Sequence, residues 1–300
     1  MSGGVADRHR PHLHRGEAPH AAAAAATRAH DENFPVAFLL APCDVRQDMR
    51  AVYAFCRHTD DLGDDPAVAP PDRLRALDAW QRDLERCWDG TPEDPRLLAL
   101  QVAVRRRRLD PGPFLRLVEA NRMDQRQTRW DTYEDLLRYC DHSATPVGQM
   151  VLGVLGYTDP WRTAMSDATC TGLQLANHWQ DVRRDLEERD RVYLPREDMD
   201  RFGVDEDDLR REAATPATRE LIAHETGRAL ELLQRGAALW RFVPRRVALD
   251  IRMFTAGGRW VCEAIAEQGF DTVARRPAPG RLGRVRQAAG VLSALARGEG

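Results

Sequence analysis

Two acidic rows set far apart in the chain constrain its fold more than any other feature. The first closes the stretch Tyr53-Ala-Phe-Cys-Arg57-His-Thr-Asp60-Asp61-Leu-Gly-Asp64-Asp65, and the second is Leu173-Gln174-Leu-Ala-Asn177-His-Trp-Gln-Asp181-Val-Arg-Arg-Asp185. In each, oxygen-bearing side chains recur every four residues, so a helix stacks them along one face. Like charges at that spacing repel, so such a row weakens its helix unless a cation lies against it. The row at 60–65 also falls at a helix C-terminus, against the macrodipole, after apolar and aromatic turns that suggest burial. Only a single bundle brings the two rows together, and facing rows would form a cage of hard oxygen ligands for Mg²⁺, which in turn recruits phosphate.

The chain between and around the rows reads as helix after helix, broken by Pro, Gly and Asp. Asp44 is placed as the N-cap of a helix whose apolar positions Val45, Met49, Val52 and Phe55 follow a 3.6-residue period. Asp72 is placed as the cap of the next, which carries Leu74, Leu77, Trp80, Leu84 and Trp88. Breaks at Gly90-Thr-Pro92 and Asp110-Pro-Gly-Pro113 bracket another, and 113–126, 132–142 and 146–156 follow. One long helix is expected from about Asp159 to Glu188, then a short helical piece after Pro195 and helices near 216–241 and 245–268. No stretch alternates as a strand would, and no repeat is present.

Composition narrows the function classes. With 43% hydrophobic and 30% charged residues in 300, the chain has material for one large core. A formal net charge of −3 gives no electrostatic case for nucleic acid. All 44 basic residues are Arg, which weakens any inference from a single one; Arg105–Arg108 and Arg275-Arg276 are read as solvated surface. Six scattered cysteines without paired spacing read as reduced thiols of a cytoplasmic protein. No apolar run reaches the roughly 18 residues of a membrane span, which leaves peripheral membrane contact open. Residues 1–29, with four histidines and the run Ala21–Ala26, read as a disordered His/Ala-rich tail, and 277–300 as a flexible C-terminal tail.

Other chemistries find no support. No Cys/His pair has zinc spacing, and there is no G-x-S-x-G, phosphate-cradling Gly-rich loop or G-x-G-x-x-G. An amide and two carboxylates at Asn177, Asp181 and Asp185, with Gln174 one turn earlier, suit a hard divalent ion. Arg57 stands one turn before Asp60, where a guanidinium can grip a metal-held phosphate. Arg191-Val-Tyr193-Leu-Pro195 returns an Arg and a Tyr towards the site, while His178 and Trp179 read as packing residues.

With these motifs the chain resembles the squalene/phytoene synthase family, the head-to-head prenyl transferases, over about residues 30–276. The resemblance rests on Asp60-x-x-x-Asp64 after Tyr53-x-x-x-Arg57, together with Asn177-x-x-x-Asp181-x-x-x-Asp185. It implies an all-α, single-domain, isoprenoid-synthase-like bundle around a central cavity. It further implies Mg²⁺ held by Asp60, Asp64, Asn177, Asp181 and Asp185, with Tyr53 and Arg57 beside them in the catalytic set. His30, Asn33 and Phe34 look like the family's N-terminal diphosphate-contacting segment, and Gln174, Arg191 and Tyr193 join them as substrate-binding residues. Tyr139-Cys140 through Gly148 takes the place of the helix lining the prenyl cavity, and Phe34, Phe38 and Tyr53 offer aromatic faces to a cation.

Glu32–Val36, Ser143–Gly148, Asn177–Asp181, Arg191–Pro195 and Gly269-Phe-Asp271 look like the bacterial hydroxysqualene synthase branch of hopanoid biosynthesis. That branch converts presqualene diphosphate and water to hydroxysqualene, with no expected need for NADPH. Squalene, presqualene diphosphate and phytoene synthases are the alternatives. A non-catalytic relative acting as a binding or assembly protein is the reading from another class, but such a relative should have lost acidic ligands, and both rows are intact here. Implied partners are a prenyl diphosphate, companion enzymes of the hopanoid pathway and a membrane surface for release of the lipid product. The sequence departs from the expected pattern at Cys43, where a basic residue is more usual, and at Gly63, which is expected to loosen the helix end without removing a ligand.

Overall fold

The computed structural model describes residues 41–277. His30, Asn33, Phe34, Phe38, the tail at 1–29 and residues 278–300 lie outside the described residues. Among the described residues the regular elements are twelve α-helices and one 3₁₀ segment; an isolated bridge pairs Arg129 with Val192.

The first four helices build one half of the core. Helix α1 (Cys43–Asp64) turns Val45, Met49, Val52 and Phe55 inward at helical spacing. Phe55 stacks on Trp80 of α2 (Pro70–Asp89) at 6.1 Å and packs on Phe114 of α4 (Gly112–Met123) at 5.2 Å. Helix α3 (Pro95–Arg107) is capped by Asp94, whose carboxylate accepts from the Arg96 amide. The expected caps Asp44 and Asp72 are corrected: both helices start earlier, after Pro42 and at Pro70, so each Asp falls in its first turn. There a carboxylate still favours the positive end of the helix. Arg106 and Arg107 are likewise not plain surface. They hold the fully buried Asp48 carboxylate at 3.1 and 2.7 Å, a pairing that pins α3 to α1.

Helix α7 (Pro160–Gln180) organises the other half. It packs against α5 (Tyr133–Ser143), α6 (Thr145–Val154), α11 (Pro216–Gly236) and α12 (Arg245–Glu267). Gly172 allows the close crossing with α11, because a Cβ there would lie 3.0 Å from the Ala229 carbonyl and the Leu233 amide. The expected continuous helix to Glu188 is corrected. At Asp181 the backbone leaves the helical region (φ −107°, ψ 16°), and α8 (Val182–Arg189) begins beyond it. Asp190, in the left-handed conformation, ends α8 and turns the chain into the buried stretch Arg191–Pro195. There the Val192 amide donates to the Thr128 carbonyl at 2.9 Å. Helix α9 (Arg196–Phe202) and the single turn α10 (Glu206–Leu209) lead to α11.

Gly63 does not loosen α1: the helix runs through it to Asp64, and its backbone lies against α4. A Cβ at Gly63 would overlap the Asn121 amide oxygen and lie 2.9 Å from Asn121 Cγ. Its carbonyl also accepts from Gln125 Nε2 at 2.9 Å. In an open helix Gly→Ala gains about 1 kcal/mol. Here overpacking costs roughly 1–3 kcal/mol, so Gly63→Ala is expected to be net destabilising. A urea midpoint that falls in the variant checks this; a rise would show that Asn121 moves aside freely.

Candidate active site

The two halves of the core leave a pocket of about 230 Å³ where they meet. Asp60 and Asp64 line it from α1, and Leu117, Ala120 and Asn121 from α4, followed by Asp124. Tyr139 and Ser143 come from α5, and Gln174, Asn177 and His178 from α7. Asp181, Asp185, Arg189, Arg191 and Tyr193 complete the lining. The fold therefore does bring the acidic rows together on one pocket. They do not close into a tight cage: no three of Asp60, Asp64, Asp181 and Asp185 gather carboxylate oxygens within 4.8 Å. Asp198, His224 and Glu225 do so elsewhere, with Arg228 bridging the two carboxylates.

Charge in this pocket is poorly compensated. Burial pushes the Asp60 carboxyl up to about 7, against a 3.3 Å hydrogen bond donated by Asn121 and with help from the Asp64 charge. Asp60 is open to the pocket space, yet protein surrounds it closely enough to strip most of its hydration. Burial also raises Asp185 to about 7, with Arg189 opposing and Asp181 adding to the rise. Arginines sit on the other carboxylates. Arg189 and Arg191 approach Asp64 at 3.5 and 3.4 Å, and Arg276 chelates Asp181 with Nη2 at 3.1 Å from Oδ2. Arg276, read from sequence as solvated surface, thus grips a row residue and the Gln180 side chain beside the helix break.

Beneath the acidic rims lies an aromatic floor. Tyr193 is sandwiched between Trp130 at 4.6 Å and His178 at 3.6 Å, both nearly parallel to it. His178 is therefore more than helix packing. Burial and the nearby Arg191 push it down to about 3, so it presents a neutral ring at any working pH. Trp179 is core, as expected. Tyr139 donates to Asp124 Oδ2 at 3.2 Å, and Arg191 stands 3.4 Å from the same oxygen.

Of the residues singled out from sequence, Asp60, Asp64, Gln174, Asn177, Asp181, Asp185, Arg191 and Tyr193 line the pocket. Tyr53 and Arg57 do not. Arg57 is held by Asp61 at 2.9 Å on the outer flank of α1, and Tyr53 is half-buried two turns before Asp60. Asn121, Asp124 and Arg189 went unnoticed. Asp124 carried the same signal as the first row, an acid at a helix C-terminus, and could have been found by it.

The squalene/phytoene synthase family model matches residues 27–284 of this chain. The chain belongs to the squalene/phytoene synthase family. A 15-cis-phytoene synthase from Synechococcus elongatus is 35% identical over 83% of this chain and 84% of its own length. A hydroxysqualene synthase from Rhodopseudomonas palustris is 35% identical over 70% of each. The crystal structure of the squalene synthase HpnC from Alicyclobacillus acidocaldarius superposes with a TM-score of 0.80 at 44% identity, covering 85% of this chain and 95% of that one. Family and fold make the chain an enzyme of head-to-head prenyl diphosphate condensation, all-α around its pocket. No helix of the described residues is long and apolar enough to cross a membrane.

Proposed function

We propose that the protein is a Mg²⁺-dependent hydroxysqualene synthase, converting presqualene diphosphate and water to hydroxysqualene and diphosphate. The observation that carries the diphosphate chemistry is the pocket itself: five oxygen donors on opposite walls, with Arg189 and Arg191 between them. The donor set is hard and under-neutralised, which fits Mg²⁺, a cation that prefers oxygen ligands. Asp60 and Asp64 would hold it on one side, Asn177, Asp181 and Asp185 on the other. When bound it would supply positive charge to neutralise a departing diphosphate.

The chain's own groups do the rest. Arg189 and Arg191, released from Asp64, orient the diphosphate oxygens. The His178 and Tyr193 rings that reach the pocket are uncharged, so they add no positive charge beside a carbocation. The choice of product is supported by the hydroxysqualene synthase and HpnC likenesses and by the Ser143–Gly148 and Arg191–Pro195 motifs. Phytoene synthase is the second reading, favoured by the equal identity of the Synechococcus relative. Water addition needs no hydride, so NADPH has no part in the proposal. Cytoplasmic location, peripheral contact with a membrane that takes up the lipid, and companion enzymes of hopanoid synthesis belong to the same proposal.

The test is to incubate the protein with Mg²⁺ and, separately, presqualene, farnesyl and geranylgeranyl diphosphates, and to identify the lipids formed. Hydroxysqualene from presqualene diphosphate without NADPH is expected. Phytoene from the geranylgeranyl substrate would move the assignment to the second reading, and squalene formed only with NADPH would exclude the water-quenched one.

A pH signature accompanies Mg²⁺ binding. Asp60 and Asp185 have folded pKa values raised above the unfolded carboxylate value. Their contribution to stability is thus greatest below pH 4 and is lost as pH rises towards 7. Mg²⁺ binds the ionised forms, so it must displace protons below pH 7, at about tenfold in affinity per proton per pH unit. The rise in Tm on adding Mg²⁺ is expected to be larger at pH 8 than at pH 6. An equal rise at both, measured by thermal melts, would count against these carboxylates as ligands.

A further inference from the structure

Two buried polar atoms on the pocket wall have no hydrogen-bond partner: Asp124 Oδ1 and Ser143 Oγ. An unsatisfied buried carboxylate oxygen or hydroxyl costs roughly 1–3 kcal/mol, so each is a place where something polar is meant to bind. The two are linked through α5. Tyr139 and Ser143 are four residues apart and share a helix face, and the Tyr139 hydroxyl donates to the other oxygen of Asp124. Neither orphaned atom belongs to the acidic rows. Both residues line the same pocket as Leu117 and Ala120, the apolar part of its wall.

A single water lodged between the two would meet both needs, donating to Asp124 Oδ1 and bonding to the Ser143 hydroxyl, the minimum of two polar partners an ordered buried water needs. We infer that Ser143 and Asp124 hold the water that adds to the substrate cation, with Asp124 as its proton acceptor. This inference rests on the hydroxysqualene reading and names the residues that determine its product. In the step, a lone pair of the water oxygen forms the C–O bond to the cationic carbon. One O–H bond breaks, its electron pair stays on oxygen, and the proton passes to Asp124 Oδ1, from which it leaves to solvent. Asp124 suits that task. Burial pushes its carboxyl up to about 6, against the Arg191 charge and the Tyr139 hydrogen bond, so near neutrality it is ionised yet basic for a carboxylate. Ser143 anchors the water from a second direction, so the oxygen rather than a hydrogen can face the cation.

The experiment compares Ser143→Val, Ser143→Thr and Asp124→Asn with the unaltered full-length protein, each given presqualene diphosphate and Mg²⁺. The readout is the fraction of lipid product carrying a hydroxyl, with ¹⁸O-labelled water reporting its source. Thr and Val fill nearly the same volume, so a packing defect strikes both, and only the hydroxyl separates them. The expected result is that Val and Asn lower the hydroxylated fraction at least tenfold, in favour of lipids formed by proton loss, while Thr stays within about threefold of the unaltered protein. Equal fractions in Val and Thr would overturn the assignment while leaving the hydroxysqualene reading standing. No hydroxysqualene from the unaltered protein would overturn both.

Discussion

Asp60→Ala and Asp181→Ala are each expected to reduce turnover of a prenyl diphosphate by about a thousandfold or more, with the helical circular dichroism unchanged. The expectation follows from what occupies these carboxylates before substrate arrives. Asp60 is raised to about 7 by burial and meets only the Asn121 amide, while Asp181 is chelated by Arg276 and approached by Arg184 at 3.8 Å. Neither residue fills the hydrophobic core; the Asp60 arrangement is one that folding alone would not favour, whereas removal of Asp181 gives up the Arg276 fork. Removing Asp60 relieves a desolvated charge, so the ligand-free variant should melt at the same temperature as the unaltered protein or above it at pH 8. Loss of activity with unchanged or increased stability is the mark of a residue kept for chemistry. Initial rates and melting curves on the same samples decide it, and retention of a tenth of the activity by both variants would place the metal ligands elsewhere.

The acidic rows were legible in the sequence because a helix fixes what a four-residue spacing means: Asp60 and Asp64, or Asn177 and Asp181, share a face whatever the rest of the chain does. The break at Asp181 was not legible, since it leaves the i, i+4 spacing intact, and Arg276, which grips Gln180 and Asp181 beside it, comes from the far end of the chain. Arginines were the least readable class. In a chain without lysine, nothing local separates Arg57, which turns outward to Asp61, from Arg189, which turns in to Asp64. His178 was misjudged for a related reason: its role comes from lying on Tyr193, a contact set by the loop after α8 rather than by its own helix. Helix N-caps lie two or three residues before the expected ones where a Pro, at 42 or 70, competes with a nearby Asp.

Arg191→Met is expected to damage both the fold and the reaction, in contrast to the acidic variants. Arg191 is 5% exposed and faces Asp64 Oδ1, Asp124 Oδ2 and the Asp124 carbonyl, each at 3.4 Å. Its removal leaves Asp124 with the Tyr139 hydroxyl and the weaker influence of the Arg189 charge, and a buried charge that loses its main partner costs about 3–5 kcal/mol. Turnover should fall by about a hundredfold, because the same guanidinium is the one poised to hold diphosphate. Arg191→Lys keeps the charge but not the fork, whose Nη1 meets both carboxylates and whose Nη2 reaches the Asp124 carbonyl, so it should recover part of the stability and little of the rate. The stability loss carries its own pH dependence. Arg191 holds the Asp124 pKa below where burial alone would put it, so the stability it supplies is present at pH 8 and lost as pH falls through about 6. Urea midpoints of the Met variant and the unaltered protein should therefore converge at pH 5 and separate at pH 8. A gap that is the same at both would mean that Arg191 matters through packing of its aliphatic stem, and that Asp124 is neutral throughout.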